Sequence, residues 1–383
     1  MNVCLNGLYF AHGVMGGAET YLHGLLHQLP VVAPDDTFTL LLGSDYHGGV
    51  TFPAGITVSQ EKTYTKPDPR WYLNLLTIAA LNKDLHSRVF KQYQADVIHY
   101  PFTLLFPPVP HKPTVLTFHD MQQEFYPNFF PLQERLYRAR TYKTSAHRAT
   151  RIIAISNHVK HCLVNKYEIA PEKIDVVYNG CGQNFRVLND HETLRRVRGQ
   201  YRLDRPFMFY PAATWPHKNH ARLLDALKLI IVRNHFDGQL ILTGIAKAQS
   251  KTICTRIKTL GLEKHVKLLG YLPYDDLPYI YNLARLLIFP SLFEGFGIPL
   301  VEAMACGCPV LAANCTSIPE VLADAGMLFN PSSVEDMAAK IWSVWNDDDK
   351  LDAMKLMGLR RAELFTWENT AKGTMHAYQK SVT

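Results

Sequence analysis

The stretch LLIFPSLFEGFGIPLVE, residues 286–302, reads as a strand, a glycine-rich turn and the start of a helix. Its first four residues are apolar and predict a buried strand over 286–289. Gly295 and Gly297 permit backbone conformations and close approaches that side chains would block. Pro299 suits the first helical position, where its missing N–H group costs nothing. Because the free N–H groups of a first helical turn favour an anion such as pyrophosphate, we predict a ligand-binding loop here.

Two carboxylates, Glu294 and Glu302, flank the predicted anion-binding end of this helix. A carboxylate that accepts hydrogen bonds from two vicinal hydroxyls is a suitable clamp for a ribose or a sugar. The alternative is that Glu294 is an ordinary loop acid and Glu302 a helix-start acid stabilised by the dipole. The glycines, the proline and the preceding strand together favour the ligand site.

Outward from this stretch, short apolar runs alternate with longer helical patterns, which is typical of βαβ units and parallel sheets. The predicted strands are 2–5, 37–42, 96–100, 113–118, 151–155 and 173–177 in a first series, and 207–210, 239–243, 266–269, 286–289 and 310–312 in a second. The predicted helices are 18–28, 71–92, 132–149, 157–166, 220–232, 276–284, 299–305 and 334–345, with Ser156 as an N-cap. Two Rossmann-like α/β domains in tandem are the predicted fold.

The domain boundary is predicted in the polar stretch 183–204, which lacks strand character. The first domain then covers 1–190 and the second 200–365. A chain of 383 residues is longer than one hydrophobic core usually supports, which agrees with two domains. In open α/β sheets the ligand crevice lies at the carboxyl ends of the strands, so functional residues should directly follow strands.

Composition narrows the class of protein further. Hydrophobic residues make up 47% and charged residues 19%, as in folded globular proteins. The net charge of +6 comes without a long Lys/Arg run, which argues against a nucleic-acid partner. No export signal or apolar window of about 20 residues is visible, and the seven cysteines form no C-x-x-C pair. We therefore expect a cytoplasmic protein with reduced thiols.

Basic residues concentrate in and around the predicted helix 132–149, opposed by Glu134 alone. They are Arg135, Arg138, Arg140, Lys143, Arg148 and Arg151. One interpretation is a peripheral contact with the anionic inner face of a membrane, or with a lipid-pyrophosphate acceptor. The other is a solvated amphipathic face, and the sequence leaves both open.

The segment EGFGIPLVE resembles the E-x7-E signature of the retaining glycosyltransferases of family 4, which have the GT-B fold. The resemblance implies two Rossmann-like domains facing across a cleft, with a C-terminal helix, residues 366–383, that crosses back to the first domain. It implies that the first domain binds the acceptor and the second the nucleotide-sugar, with no metal or other cofactor. By the same resemblance, the donor sugar would be bound by Glu294, Phe296, Gly297 and Ile298. The ribose would be bound by Glu302.

Three further segments carry the resemblance. The first, GVMGGAE at 13–19, resembles the family's glycine-rich loop, so that Gly16 and Gly17 would approach the donor phosphates; the alternative is a simple tight turn. In FMFYPAATWPHKNH, residues 207–220, Lys218 matches the lysine that neutralises the pyrophosphate. Thr214 stands near the place where many members have an arginine, and a threonine can donate only a neutral hydrogen bond. Tyr271 and Leu272, in 270–284, match the backbone that holds the nucleotide base.

His119 follows the strand 113–118 within the motif TFHD. In similar enzymes this histidine lines the cleft beside the scissile bond, where it can bind the donor sugar or accept the hydroxyl proton of the acceptor. A surface or structural histidine is the alternative, since the chain has 17. The resemblance thus assigns catalysis to His119, Lys218 and Glu294.

The leading functional hypothesis is hexose transfer, with mannose from GDP-mannose favoured by the resemblance, from a nucleotide-sugar to a glycan or lipid-linked acceptor hydroxyl. Retention of the anomeric configuration and a role in cell-surface polysaccharide synthesis follow from the same resemblance. Two alternatives remain: a sugar-nucleotide epimerase or hydrolase of the same fold, and a non-catalytic nucleotide-sugar-binding subunit.

Overall fold

The computed structural model describes residues 1–44, 46, 48, 51–62, 90, 92–109 and 111–383. The predicted helix 71–92 lies outside these residues except at positions 90 and 92. The chain divides into two compact units, the first formed by Met1–Gly180 with Trp367–Thr383, and the second by Cys181–Thr366.

Each unit contains one sheet in which every pairing is parallel. The strands of the first unit are β1 (Asn2–Gly7), β2 (Thr37–Gly43), β3 (Ile56–Glu61), β4 (Val97–Tyr100), β5 (Thr114–Phe118), β6 (Arg151–Ala154) and β7 (Ile174–Val176). Those of the second are β8 (Phe207–Pro211), β9 (Gln239–Thr243), β10 (Val266–Gly270), β11 (Leu286–Phe289), β12 (Val310–Ala313) and β13 (Met327–Phe329). The spatial orders are β3-β2-β1-β4-β5-β6-β7 and β10-β9-β8-β11-β12-β13.

Most of the described helices lie between consecutive strands along the chain, and the last three follow β13. The helices are α1 (Gly17–Val32), α2 (Leu132–Arg148), α3 (Asn157–Tyr167), α4 (His191–Gln200), α5 (His220–Arg233), α6 (Ser250–Thr259), α7 (Leu277–Leu283), α8 (Ile298–Ala305), α9 (Ile318–Leu322), α10 (Val334–Trp345), α11 (Asp348–Ala362) and α12 (Trp367–Val382). Short 3-10 helices lie at Gln122–Glu124, Pro127–Phe129, Pro171–Lys173, Pro216–Lys218 and Tyr274–Asp276. Ser156 caps α3 by accepting a hydrogen bond from Val159 N, as predicted.

The sequence missed two strands and several helices for physical reasons. Edge strand β3, ITVSQE, is polar and largely exposed, and edge strand β13 has three residues, so neither has the apolar run of a central strand. Helix α4, HETLRRVRGQ, has a single fully buried residue, Val197. Leu194 and Val197 are its only apolar side chains, too few to distinguish a helix from a polar boundary segment, and this part of 183–204 was therefore predicted as the domain boundary.

The last helix, α12, belongs to the first unit. Trp367, Ala371, Met375 and Tyr378 join the apolar cluster formed by α1 and the strands of that unit. Gly24 of α1 makes the close approach possible, because a Cβ atom there would lie 2.2 Å from the Trp367 ring. The core of the first unit is therefore completed by the C-terminal end of the chain.

The two ends of the second unit lie side by side. Cys181 N donates to the Phe365 carbonyl at 3.0 Å, and Cys181 forms a parallel bridge with Thr366. The chain thus enters and leaves the second unit at one place, and the division falls between Gly180 and Cys181, ahead of the stretch predicted as the boundary.

Candidate active site

The second sheet has its topological switch point between β8 and β11. From β8 the chain runs outward to β9 and β10, and from β11 it runs the other way to β12 and β13. A crevice opens at the carboxyl ends of two such strands, because their connections leave in opposite directions. The loop after β8 carries Lys218 and the loop after β11 carries Glu294.

Lys218 and Glu294 form an ion pair at this switch point. The Lys218 Nζ to Glu294 Oε1 distance is 2.6 Å, and the two side chains are 18% and 13% exposed. Asn219, in the left-handed region with φ 59°, donates through Nδ2 to the carbonyls of Pro290 and Pro331. The lysine loop is therefore tied to the glutamate loop by a buried amide, and the two charges are held together.

Two residues after β12 hold the loop of Glu294. Thr316 Oγ1 accepts from Glu294 N at 3.2 Å, and the buried Ser317 hydroxyl contacts the carbonyls of Glu294 at 3.0 Å and Phe296 at 3.1 Å. Neither residue was predicted from the sequence, although their position shortly after the predicted strand 310–312 was the available signal. They fix the backbone that precedes α8.

The N-terminus of α8 presents backbone rather than side chains. Gly297 has φ 99°, and a Cβ there would lie 3.0 Å from Leu300 Cδ1. Phe296 and Ile298 are buried, so a ligand can meet only their main chain. The N–H groups of Gly297 and Ile298 make no hydrogen bond within the part of the chain that the structure describes. Pro299 is the second helical residue, one position later than predicted, because the helix begins at Ile298.

Glu302 is buried inside α8. Its Oε2 accepts from the Tyr281 hydroxyl at 2.8 Å, and 6% of the residue is exposed. Burial disfavours the carboxylate and raises the pKa of Glu302 to about 7, against the opposing effect of the Tyr281 hydrogen bond. Tyr281, on α7, was not singled out from the sequence, since an aromatic residue in a helix ordinarily signals core packing.

Thr214 accepts two hydrogen bonds from the loop after β9. Its Oγ1 accepts from Lys247 N at 2.6 Å, and its carbonyl accepts from Gln249 N at 3.0 Å. The Lys247 ammonium lies over the Trp215 ring, 5.5 Å from its centre. A second cation, which sequence reasoning missed, thus stands beside the position where an arginine was expected.

Tyr271 and Leu272 directly follow β10, and their side chains differ in exposure. Tyr271 is 69% exposed and Leu272 is 5% exposed. Gly270, at φ 70°, turns the chain before them, and its carbonyl accepts from Gly244 N at 2.7 Å. Leu272 can therefore offer a ligand only its backbone.

In the first unit the switch point lies between β1 and β4, and the glycine-rich loop follows β1. Gly16 caps α1 with φ 55°, and Gly17 is the first residue of that helix. Open space surrounds the position of a Cβ at Gly16. The backbone conformation, rather than crowding, is what requires glycine there.

His119 lies after β5, partly exposed, with its ring orientation fixed. Its Nε2 is 2.7 Å from the Pro101 carbonyl, and Thr103 Oγ1 accepts from His119 N at 3.0 Å. Since a carbonyl can only accept, Nε2 carries the proton and the neutral ring keeps its lone pair on Nδ1. Burial lowers the pKa of His119, which favours this neutral form.

Similar solved structures define the fold. Sucrose-phosphate synthase of Thermosynechococcus elongatus is 19% identical with a TM-score of 0.80, over 99% of this chain and 98% of that one. HepE of Anabaena, solved in complex with UDP and glucose, is 21% identical with a TM-score of 0.77, over 99% and 100%. The fold is that of the GT-B glycosyltransferases.

Sequence comparisons add the family. The model described as Glycosyltransferase Family 4 matches residues 15–182, and Glycosyl transferases group 1 matches 193–358. O-antigen chain mannosyltransferase B of Escherichia coli is 29% identical over 77% of this chain and 78% of that protein. Serotype-specific mannosyltransferase WbdA of Escherichia coli is 31% identical over 58% of this chain but only 28% of that protein. The chain belongs to the family-4 glycosyltransferases and is an enzyme of glycosyl transfer.

Proposed function

We propose that the enzyme transfers a hexose from a nucleotide-sugar to a hydroxyl of a glycan or lipid-linked acceptor, in the synthesis of a cell-surface polysaccharide. The observation that carries this proposal is the Lys218–Glu294 pair at the switch point, beside the free N–H groups of α8. The names of the O-antigen mannosyltransferase relatives support the process.

Lys218 and the N-terminus of α8 are proposed to stabilise the negative charge of the departing nucleoside diphosphate. A fixed cation and aligned amide groups lower the barrier most where charge develops. An incoming diphosphate competes for the Lys218 ammonium and releases Glu294, whose carboxylate can then accept hydrogen bonds from sugar hydroxyls. Glu302 is proposed to bind the ribose diol through its second carboxylate oxygen, because Oε2 is already occupied by Tyr281.

Lys247 is proposed as the second cation for the diphosphate, replacing an arginine at the Thr214 position. Its backbone is anchored on Thr214 Oγ1. A cation–π contact with Trp215, itself 42% exposed, is weak enough to be exchanged for a phosphate. With two lysines and a helix N-terminus supplying the positive charge, we propose that transfer needs no metal ion, and activity should survive treatment with EDTA.

The anomeric configuration is proposed to be retained. The residues assigned to the sugar are Glu294 and the backbone of 296–298. Once the diphosphate has released it from Lys218, Glu294 is proposed to accept hydrogen bonds from sugar hydroxyls rather than to attack the anomeric carbon. Departure and attack on the same face, assisted by the stabilised phosphate, therefore fit better than a covalent intermediate. His119 is proposed to act through Nδ1, as hydrogen-bond acceptor for the donor sugar or for the attacking hydroxyl.

GDP-mannose is the proposed donor, because several relatives are named mannosyltransferases. A thermal-shift screen with GDP-, UDP- and dTDP-sugars tests the base and the sugar together. Stabilisation by UDP-glucose alone would overturn the choice. Purified Glu294→Ala and His119→Ala enzymes should both lose transfer, and product analysis without acceptor separates transfer from epimerisation or hydrolysis.

The outer face of α2 supports a proposed peripheral membrane contact at the inner leaflet. Leu132, Leu136 and Tyr137 are each more than half exposed. No ion pair among the described residues involves Arg135 or Arg140. In the described ranges, every helix falls short of the length and apolar content needed to cross a bilayer. Binding to anionic vesicles that weakens with salt, and that is lost in Leu136→Glu, supports the contact; no binding at low salt refutes it.

A further inference from the structure

Three side chains that the proposed transfer reaction does not use converge at the start of α1. They are His12 on the glycine-rich loop, and Glu19 and His23 one helical turn apart on α1. Their ligand atoms, one nitrogen from each histidine and a carboxylate oxygen, all lie within 4.8 Å of one another. We propose that these residues form a binding site for a divalent transition metal of the zinc class.

The donor set fits this class of ion. Imidazole nitrogen and carboxylate oxygen are the ordinary ligands of zinc, and two histidines with one glutamate are a known three-ligand set that leaves a position for water. At metal–ligand distances of about 2.0–2.1 Å, ligand atoms on a tetrahedron are roughly 3.4 Å apart. His12 Nδ1 already lies 2.5 Å from Glu19 Oε1. Closing the set around an ion therefore needs side-chain shifts of about an ångström.

Two of the three ligands are positioned by their neighbours. Glu19 accepts from Gly13 N through both carboxylate oxygens, at 3.0 and 2.9 Å, which holds the carboxylate toward the loop. The His23 ring stacks on Phe52 and meets the edge of Phe10. Such outer contacts orient the ligands of metal sites. His12 is 48% exposed, so its side chain can turn toward an ion without disturbing the core.

A bound ion would join the loop to the helix. His12 precedes Gly13 and Gly16, both with positive φ, and Glu19 and His23 follow them. Coordination across this segment cross-links its two ends and restricts the glycine backbone between them. The inference concerns binding and loop rigidity, and it does not depend on the proposed donor or acceptor.

The test uses the full-length enzyme without a histidine tag. The enzyme should withdraw one equivalent of zinc from a chromophoric zinc indicator, and Co²⁺ bound to the enzyme should give the visible spectrum of a tetrahedral site with nitrogen and oxygen ligands. His12→Ala and Glu19→Gln should each weaken zinc binding by at least about 100-fold, because even residues that only support a ligand contribute 10–100-fold. Both substitutions should leave the fold intact, since His12 is exposed and a glutamine can still accept from Gly13 N.

His27→Ala is the matched control, because His27 is an exposed histidine on the next turn of α1. It should bind zinc as the wild type does. Hydrogen exchange of residues 11–16 should slow when zinc is added to the wild type and stay unchanged in His12→Ala. Wild type that binds no zinc, or binding that persists in both His12→Ala and Glu19→Gln, would overturn the site.

Discussion

Lys218 and Glu294 neutralise each other until a ligand arrives, so each protects the other from an unpaired, mostly buried charge. Lys218→Ala should lower kcat by roughly 100-fold to 1000-fold, the cost of losing one charge-stabilising group at a reacting centre. Steady-state kinetics with a saturating donor measures this loss. Lys251→Ala, which removes an exposed lysine on α6, is the control. A variant that changes KM alone would assign Lys218 to ground-state binding instead.

Lys247 is the second cation proposed to bind the diphosphate, and its role can be tested separately. Lys247→Ala should lower kcat/KM by roughly 10-fold to 100-fold, corresponding to the loss of one charge-assisted hydrogen bond. Lys247→Arg should retain most activity, since only the charge and its reach are needed. Equal kinetics for Lys247→Ala and Lys251→Ala would remove Lys247 from the diphosphate site.

Glu302 should make stability depend on pH. Burial raises its folded pKa to about 7 from an ordinary 4.5, so the folded protein binds the proton more tightly than the unfolded chain. Stability is therefore lost as pH rises from about 4.5 through 7 and is level above that, by at most about 3 kcal/mol. The glutamine of Glu302→Gln does not titrate. The free energy of unfolding of this variant, relative to that of the wild type, should therefore rise by about this amount between pH 4.5 and pH 8.

Urea unfolding at the two pH values measures the difference for Glu302→Gln. The exposed Glu363→Gln variant should follow the wild type at both. If Glu302→Gln also follows the wild type, the carboxyl group is ionised in the folded protein at pH 4.5 and water reaches it.

At the scale of elements, the contact of α1 with α12 depends on the absence of a side chain at Gly24. Gly24→Ala places a methyl group 2.2 Å from the Trp367 ring and should destabilise the protein by about 1–3 kcal/mol, as overpacked cores do. Gly199→Ala, in α4 with open space around it, should be neutral or stabilising by up to about 1 kcal/mol. Thermal unfolding of the two alanine variants compares them directly, and equal melting temperatures would contradict the packing.

The central strands could be predicted because parallel strands buried on both faces are apolar throughout, as in LLIF at 286–289. Edge strand β3 and helix α4 could not, since each has a solvated face and gives too few apolar positions to set a period. In the candidate site, Lys218 and Glu294 were found by motif. Asn219, Ser317 and Lys247 were not, because their roles depend on which loops the sheet order brings together.

At the scale of the whole molecule, the second unit is a continuous insertion into the first. Deletion of residues 367–383 should unfold the first unit, because it removes Trp367, Met375 and Tyr378 from its core. The second unit should survive, since its own ends pair through Cys181 and Phe365. Limited proteolysis of the truncated chain should leave a resistant fragment close to 181–366. Stable first-unit fragments would contradict this dependence.

The place of α12 in the first core also sets an order of events during synthesis. A ribosome makes the first 180 residues early, but their apolar cluster lacks the packing of α12 until that helix has left the exit tunnel. The second unit can therefore complete its core while the core of the first unit still lacks α12. The surface of the nascent first unit where Tyr21 and Gly24 later contact Trp367 is thus the part of the nascent chain that most needs a chaperone.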